Sequence, residues 1–145
     1  MNASEFKLKN QEEKEVSLPE KGILVLYFYP KVDTPGCTTE AKKFSELYPK
    51  FIEAGALVWG VSPDPLTAVC KFNDKYEFSH DLLADKDHKV AEAYGVWGQK
   101  QMFGNKYMGI NRTTFVIKDK KILKEFKHKP GKTEQEVLEY IQNLQ

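Results

Sequence analysis

The sequence predicts an α/β fold: a mixed central β-sheet with helices on both faces and an N-terminal β-hairpin. Three observations carry this. Residues 23–29 (Ile-Leu-Val-Leu-Tyr-Phe-Tyr) and 56–62 (Ala-Leu-Val-Trp-Gly-Val-Ser) are nearly all-apolar runs of strand length, as expected of strands covered on both faces. The stretch between them carries Ala41, Phe44, Leu47, Tyr48 and Phe51 at helical spacing, so the two strands are expected to pair in parallel through a right-handed crossover. Two further strand-like runs and one more helix close the chain, adding antiparallel strands to the sheet.

Taken in order, Phe6-Lys7-Leu8-Lys9 and Lys14-Glu15-Val16-Ser17-Leu18 alternate around the polar turn Asn10-Gln11-Glu12-Glu13 and read as a short hairpin. The buried strand 23–29 follows. The helix after it runs to about Glu53 and stops at Gly55. The second buried strand leads through Pro63-Asp64-Pro65 into a helix over 66–76. Residues 81–84 suggest a short strand and 88–94 a short helix. Gly95, Gly98, Gly104 and Gly109 read as turns in a long connection. Residues 113–117 form a strong strand pattern, turned by Asp119-Lys120-Lys121 into 122–126. Thr133-Glu134-Gln135-Glu136 reads as a capping box opening the last helix, whose buried stripe would be Val137, Ile141 and Leu144. Nothing repeats and no linker divides the chain, so one domain over 1–145 is expected.

With 145 residues, 41% hydrophobic and 30% charged, the composition is that of a globular protein with a sizeable core. A net charge of +1 provides no field that would draw the chain to nucleic acid or a membrane, and no apolar run has the length of a membrane span. The densest basic stretch, Lys127-His128-Lys129-Pro130-Gly131-Lys132, reads as a solvated turn. No signal peptide is visible at the N-terminus, so a cytoplasmic location is expected. In that compartment the two cysteines suit redox chemistry, catalysis or burial better than a structural disulfide. His80, His88 and His128 are scattered and no Cys-x-x-Cys or His-x-x-x-His pair occurs, so neither a metal site nor an organic cofactor is expected.

Cys37 is the residue of greatest chemical interest. It follows Pro30-Lys31-Val32-Asp33-Thr34-Pro35-Gly36, between a buried strand and a helix. A helix N-terminus offers unpaired N–H groups and the positive end of the dipole, which favour a thiolate nucleophile. The Thr-Pro-Gly turn ahead of it argues against deep burial. The other cysteine, Cys70, falls in the 66–76 helix near the edge of an apolar stripe made by Val69, Phe72 and Tyr76. Trp97, Met102, Phe103, Tyr107 and Met108 fit either ordinary packing or a contact face.

Pro30-x-x-x-Thr34-x-x-Cys37 resembles the active-site motif of the peroxiredoxins, thiol peroxidases on a thioredoxin-like fold. Gly36-Cys37-Thr38-Thr39-Glu40-Ala41, Leu83-Ala84-Asp85, Ala93-Tyr94-Gly95-Val96-Trp97-Gly98 and the block from Tyr107 through Arg112 to Ile117 resemble the bacterioferritin-comigratory (PrxQ) branch more narrowly. The resemblance implies a peroxide pocket of Cys37, Thr34, Pro30 and Arg112, with Glu40 orienting Arg112 and helping to cap the helix. It implies hydrogen peroxide and organic hydroperoxides as substrates and thioredoxin as the electron donor. Because the branch is often monomeric, a monomer is expected.

The chemistry agrees with the family pattern. A peroxide needs a sulfur nucleophile and donors for the oxygen that departs with negative charge, and Arg112 supplies a permanently charged planar fork. Ionisation alone gains little: about 3% of a free cysteine is already thiolate at pH 7, so full ionisation adds at most about thirty-fold. Further acceleration must come from positioning and from bonds that strengthen in the transition state.

Many members of the branch place a second thiol five residues after the first, where this chain has Lys42. Others carry their resolving cysteine in the helix that holds Cys70, and capture of a Cys37 sulfenic acid by Cys70 would give an intramolecular disulfide. That would require local unwinding. The alternatives are a one-cysteine peroxidase with Cys70 a bystander, or a peroxide-responsive redox switch.

Overall fold

The computed structural model describes residues 2–129 and 131–144; Met1, Gln145 and Pro130 of the basic stretch lie outside the described residues, as does the Met102 side chain. Strands β1 (Lys7–Asn10) and β2 (Glu15–Ser17) form the expected hairpin. Strand β3 (Ile23–Phe28), helix α1 (Pro35–Glu53), strand β4 (Ala56–Ser62), helix α2 (Leu66–Tyr76) and strand β5 (Asp81–Ala84) follow. Then come α3 (Lys89–Ala93), the strand pair β6 (Trp97–Met102) and β7 (Asn105–Ile110), strands β8 (Thr113–Lys118) and β9 (Lys121–Lys127), and α4 (Thr133–Gln142).

Seven strands form one mixed sheet in the order β2-β1-β5-β4-β3-β8-β9. β3, β4 and β5 run parallel, and β8 joins β3 antiparallel with Thr113 opposite Phe28. Every residue of β3 is buried, because alternate side chains enter two different cores. Val25 and Tyr27 pack with Phe44 and Phe51 of α1, Val69 and Phe72 of α2 and Val137 and Ile141 of α4. Leu24, Leu26 and Phe28 pack on the other face with Val90, Ala91 and Tyr94 around α3 and with Phe6 and Leu18 of the N-terminal segment. This is the mixed sheet with helices on both faces that the apolar runs predict.

Three local expectations are corrected. Residues 97–110 are not a chain of turns but a β-hairpin, β6 paired with β7. Its two-residue loop, Phe103-Gly104, has φ of 51° and 81°, the left-handed geometry that hairpin loops require. A phenylalanine in a place usually taken by Asn or Gly hid the signal. The capping box at Thr133 does not form. The helix N-cap is Lys132 and makes no side-chain cap; the Thr133 hydroxyl accepts instead from the Lys129 N–H at 2.6 Å. The buried stripe of α4 is Val137, Leu138 and Ile141, while Leu144 lies beyond the helix and is 38% exposed.

Candidate active site

Helix α1 starts two residues before Cys37, with Thr34 as an extended N-cap and Pro35 in the first turn, where its missing N–H costs no hydrogen bond. Cys37 therefore lies on the inward stripe, one turn ahead of Ala41 and two ahead of Phe44, and is 1% exposed. The expectation of an accessible sulfur is corrected here. Pro35 and Gly36 are the exposed residues, and as members of the helix they turn the cysteine inward.

The loop leading to α1 is tied down from outside. The Val32 N–H donates to Asp64 Oδ2 at 2.9 Å. Asp33, at φ 56°, accepts from Lys75 Nζ and the Tyr76 hydroxyl, each at 2.9 Å. These contacts, Lys75 first, hold the Asp33 carboxyl below its ordinary range. The end of α2 thus clamps the approach to Cys37. Lys42, where many branch members carry a second thiol, sits 4.8 Å from the centre of the Tyr76 ring. Pro30 is half-buried at the bend after β3. The Thr34 hydroxyl donates to the Lys31 carbonyl at 3.0 Å.

Arg112, between β7 and β8, crosses the first turn of α1 from the other side. Its Nη2 donates to Glu40 Oε1 at 2.6 Å and to the Gly36 carbonyl at 3.3 Å. A Cβ on Gly36 would lie 2.9 Å from Arg112 Nη1, so the missing side chain is what lets the guanidinium come this close. Arg112 Nε is buried and has no partner among the described residues. Glu40 stands in the second turn of α1 because the helix begins at Pro35, and the N-terminus has no side-chain cap. The expected capping role of Glu40 is therefore not seen, while its contact with Arg112 is. A cavity of about 330 Å³ opens beside this pair, lined by Pro35, Gly36, Thr39, Glu40, Arg112, His128 and Gly131.

Cys70 lies apart from the apolar cluster around Cys37. Its Sγ donates to the Gln11 carbonyl at 3.3 Å. Burial, then the Glu13 and Asp74 carboxylates, push its thiol above the ordinary value. Both cysteines are free thiols.

Two neighbours of Glu40 were not legible in the sequence. His128, read there as part of a solvated turn, has a side chain only 13% exposed, with Nδ1 3.2 Å from Glu40 Oε2. Glu134 at the start of α4 is 1% exposed, and burial raises its carboxyl above the ordinary value. Neither shares a motif with Glu40; only the return of β9 and α4 onto α1 brings them together.

The chain matches the AhpC/TSA family over residues 1–126. It is 43% identical over 145 residues to peroxiredoxin Bcp of Bacillus subtilis, covering 98% of this chain and 91% of the relative. Peroxiredoxin Bcp of Escherichia coli K12 is 40% identical over 117 residues, 79% of this chain and 75% of that protein. Among solved structures, a cysteine-to-serine variant of Xanthomonas campestris peroxiredoxin Q superposes with a TM-score of 0.90 at 32% identity, over 97% of this chain and 92% of that one. A structure concerned with alkyl peroxide reduction by the bacterioferritin comigratory protein of the same organism gives 0.88 at 32% identity, covering 96% and 91%. Similarity of this extent, over a thioredoxin-like sheet, makes the chain a member of the AhpC/TSA peroxiredoxins, of their Bcp/PrxQ branch, and thereby a peroxide-reducing thiol peroxidase.

Proposed function

We propose that Cys37 is the peroxidatic nucleophile, that Arg112, Thr34 and Pro30 form its peroxide pocket, and that Cys70 resolves the oxidised enzyme for reduction by thioredoxin. The observation that carries this reading is the Arg112 guanidinium laid over Gly36 in the first turn of the helix that holds Cys37, fixed by buried Glu40. In the first step the Cys37 thiolate attacks one peroxide oxygen. The O–O bond breaks, the sulfur is oxidised by two electrons to sulfenic acid, and the other oxygen departs as hydroxide or alkoxide and takes a proton from solvent. Donors aimed at the departing oxygen act most strongly as its charge develops. Arg112 Nε, buried and with no partner among the described residues, is a donor left for that oxygen.

In the second step the Cys70 thiol displaces the sulfenic hydroxyl as water, forming a disulfide. A dithiol reductant then exchanges with that disulfide, returning two thiols and itself becoming oxidised. Cys37 must leave its buried seat and α2 must open to bring the Cα atoms within about 7 Å. At 11 residues α2 is short enough to open locally. Such a cycle needs a reducing compartment, in keeping with the cytoplasm, and no partner copy, in keeping with a monomer.

One observation favours a one-cysteine cycle instead: the Cys70 thiol is bonded to a backbone carbonyl, and burial with the nearby carboxylates pushes it above its ordinary value. Peroxide consumption with thioredoxin and thioredoxin reductase separates the two readings. Cys37→Ser abolishes turnover in both. Cys70→Ser abolishes it only if Cys70 resolves. Mass mapping after one equivalent of hydrogen peroxide should find the Cys37–Cys70 disulfide; a persistent Cys37 sulfenic acid with Cys70 free would defeat the resolving role.

A further inference from the structure

Glu40, His128 and Glu134 come from α1, the residue just after β9 and the first turn of α4, yet one ligand atom from each lies within 4.8 Å of the other two. The backbone holds them there. The His128 N–H donates to the Arg112 carbonyl at 3.2 Å, and the Lys129–Thr133 bonds fix the entry to α4 just before Glu134.

The three side chains satisfy one another only in part, His128 and Glu40 forming an ion pair when the imidazole is protonated. Glu134 Oε1 is buried and has no hydrogen-bond partner among the described residues. His128 Nδ1 lies 3.2 Å from Glu40 Oε2 but forms no hydrogen bond with it. Buried polar atoms left in this way are rare and need an explanation. Three possible ligand atoms within 4.8 Å of one another, on side chains that leave two buried polar atoms without a hydrogen bond, are spaced as ligands around an ion. With metal–ligand bonds of about 2.0–2.2 Å at tetrahedral angles, neighbouring ligand atoms stand about 3.4 Å apart, close to the separation seen between His128 and Glu40.

We propose that Glu40 Oε2, His128 Nδ1 and Glu134 Oε1 form a binding site for a divalent transition-metal ion of the zinc class. One imidazole and two carboxylates suit zinc, cobalt or iron(II) better than magnesium or calcium, which prefer all-oxygen sets. Arg112 occupies the other oxygen, Glu40 Oε1, and so does not compete for Oε2. The 330 Å³ cavity that both Glu40 and His128 line supplies an entry path and room for a solvent ligand in the fourth position. This site uses no cysteine, but it shares Glu40 with Arg112, so an ion on Oε2 would sit one carboxylate away from the proposed peroxide donor.

The test uses the full chain with Cys37→Ser and Cys70→Ser combined, so that no thiol can bind the metal. Zinc chloride titrated against a chromophoric chelator should show one saturable equivalent. His128→Asn or Glu134→Gln should weaken it by at least ~10–100-fold, the loss that even a supporting partner of a metal ligand produces. The exposed substitution Glu139→Gln should leave it unchanged. Independently of any further variant, ring-nitrogen NMR of the double-serine protein should show the His128 signals move on zinc addition while those of His80 and His88 stay. Absence of saturable binding, binding unaffected by Glu134→Gln, or an unmoved His128 resonance would overturn the proposal. None of these readouts depends on peroxidase turnover.

Discussion

Arg112 donates to Glu40 at 2.6 Å, and the Glu40 side chain is 1% exposed. A buried carboxylate is costly without its cation, and removing one partner of such a pair typically costs ~3–5 kcal/mol. Arg112→Ala should therefore destabilise the fold by that order and also slow peroxide reduction by about 10²–10³-fold, the usual cost of losing a transition-state donor. The rate loss should persist at a pH where the thiol is fully ionised. Stopped-flow peroxide reduction across pH checks this; a variant that regained the wild-type rate at high pH would reduce Arg112 to a thiolate stabiliser. Arg112→Lys should recover stability better than rate, because a point charge cannot reproduce the planar fork.

Gly36 separates the catalytic effect from the stability effect. Its added Cβ would meet only the tip of the Arg112 side chain, at 2.9 Å from Nη1. The clash is with Nη1 and the Glu40 bond is from Nη2, so the guanidinium can swing off the helix turn while keeping its buried carboxylate, at little cost in folding energy. Gly36→Ala should lower kcat/KM about ten-fold or more, as small misplacements at a reacting centre do, with thermal stability nearly unchanged. A parallel fall in both quantities would contradict the proposed placement of Arg112.

The clamp on Asp33 predicts the opposite kind of effect. Asp33 is exposed and bonded to Lys75 and Tyr76 at the end of α2. Asn tolerates the left-handed backbone at this position, so Asp33→Asn removes the charge while keeping the conformation. If resolution requires the loop and α2 to part, the Cys37–Cys70 disulfide should appear roughly two- to five-fold faster, in line with the small energies of exposed pairs. Quenched-flow mass mapping after a peroxide pulse measures this. An unchanged rate would show that opening does not pass through this contact.

His80 should make stability depend on pH. Burial lowers its pKa from 6.5 to about 3, and its Nε2 lies 2.7 Å from the Tyr27 hydroxyl. The folded protein keeps the ring neutral where the unfolded chain protonates it, so between about pH 6.5 and pH 3 the unfolded state binds the extra proton. Stability is then fully present above 6.5 and falls as pH falls. At pH 5 the loss from this group should be about 2 kcal/mol. Urea unfolding at pH 7 and pH 5 should show that loss in the wild type and a smaller one in His80→Gln. Equal losses in both would assign the effect to other groups.

The sheet was legible because its central strands carry their burial in composition. β3 and β4 are apolar on both faces, and α1 shows its stripe from Cys37 through Ala41 and Phe44. The motif around Cys37 and the distant Arg112 were also readable, since their blocks occur in order. Apart from one misleading residue, Phe103, what escaped the sequence depended on geometry rather than residue type. The depth of Cys37 follows from whether α1 starts at Pro35 or at the cysteine, a difference of two residues. The β6–β7 hairpin was hidden by Phe103 in its loop. The approach of His128 and Glu134 to Glu40 is set by how β9 and α4 return across α1, and no local pattern records it.

Arg112 and His128 flank the open end of one ribbon, β8 and β9, in which Thr113 faces Lys127. At the opposite end the ribbon reverses through Asp119 and Lys120, at φ 49° and 67°. Between that turn and the site β9 already holds one extra residue, Leu123, since Val116 pairs with Lys124 and Ile117 with Ile122; a second residue inserted there would shift the partners of the rest of β9 by one and exchange inward for outward positions. Lys127 would then face the carboxylates and His128 would face water. The residue count of that bulge therefore governs which basic side chain stands beside Glu40, and drift in it would alter the chemistry there without touching a single catalytic position.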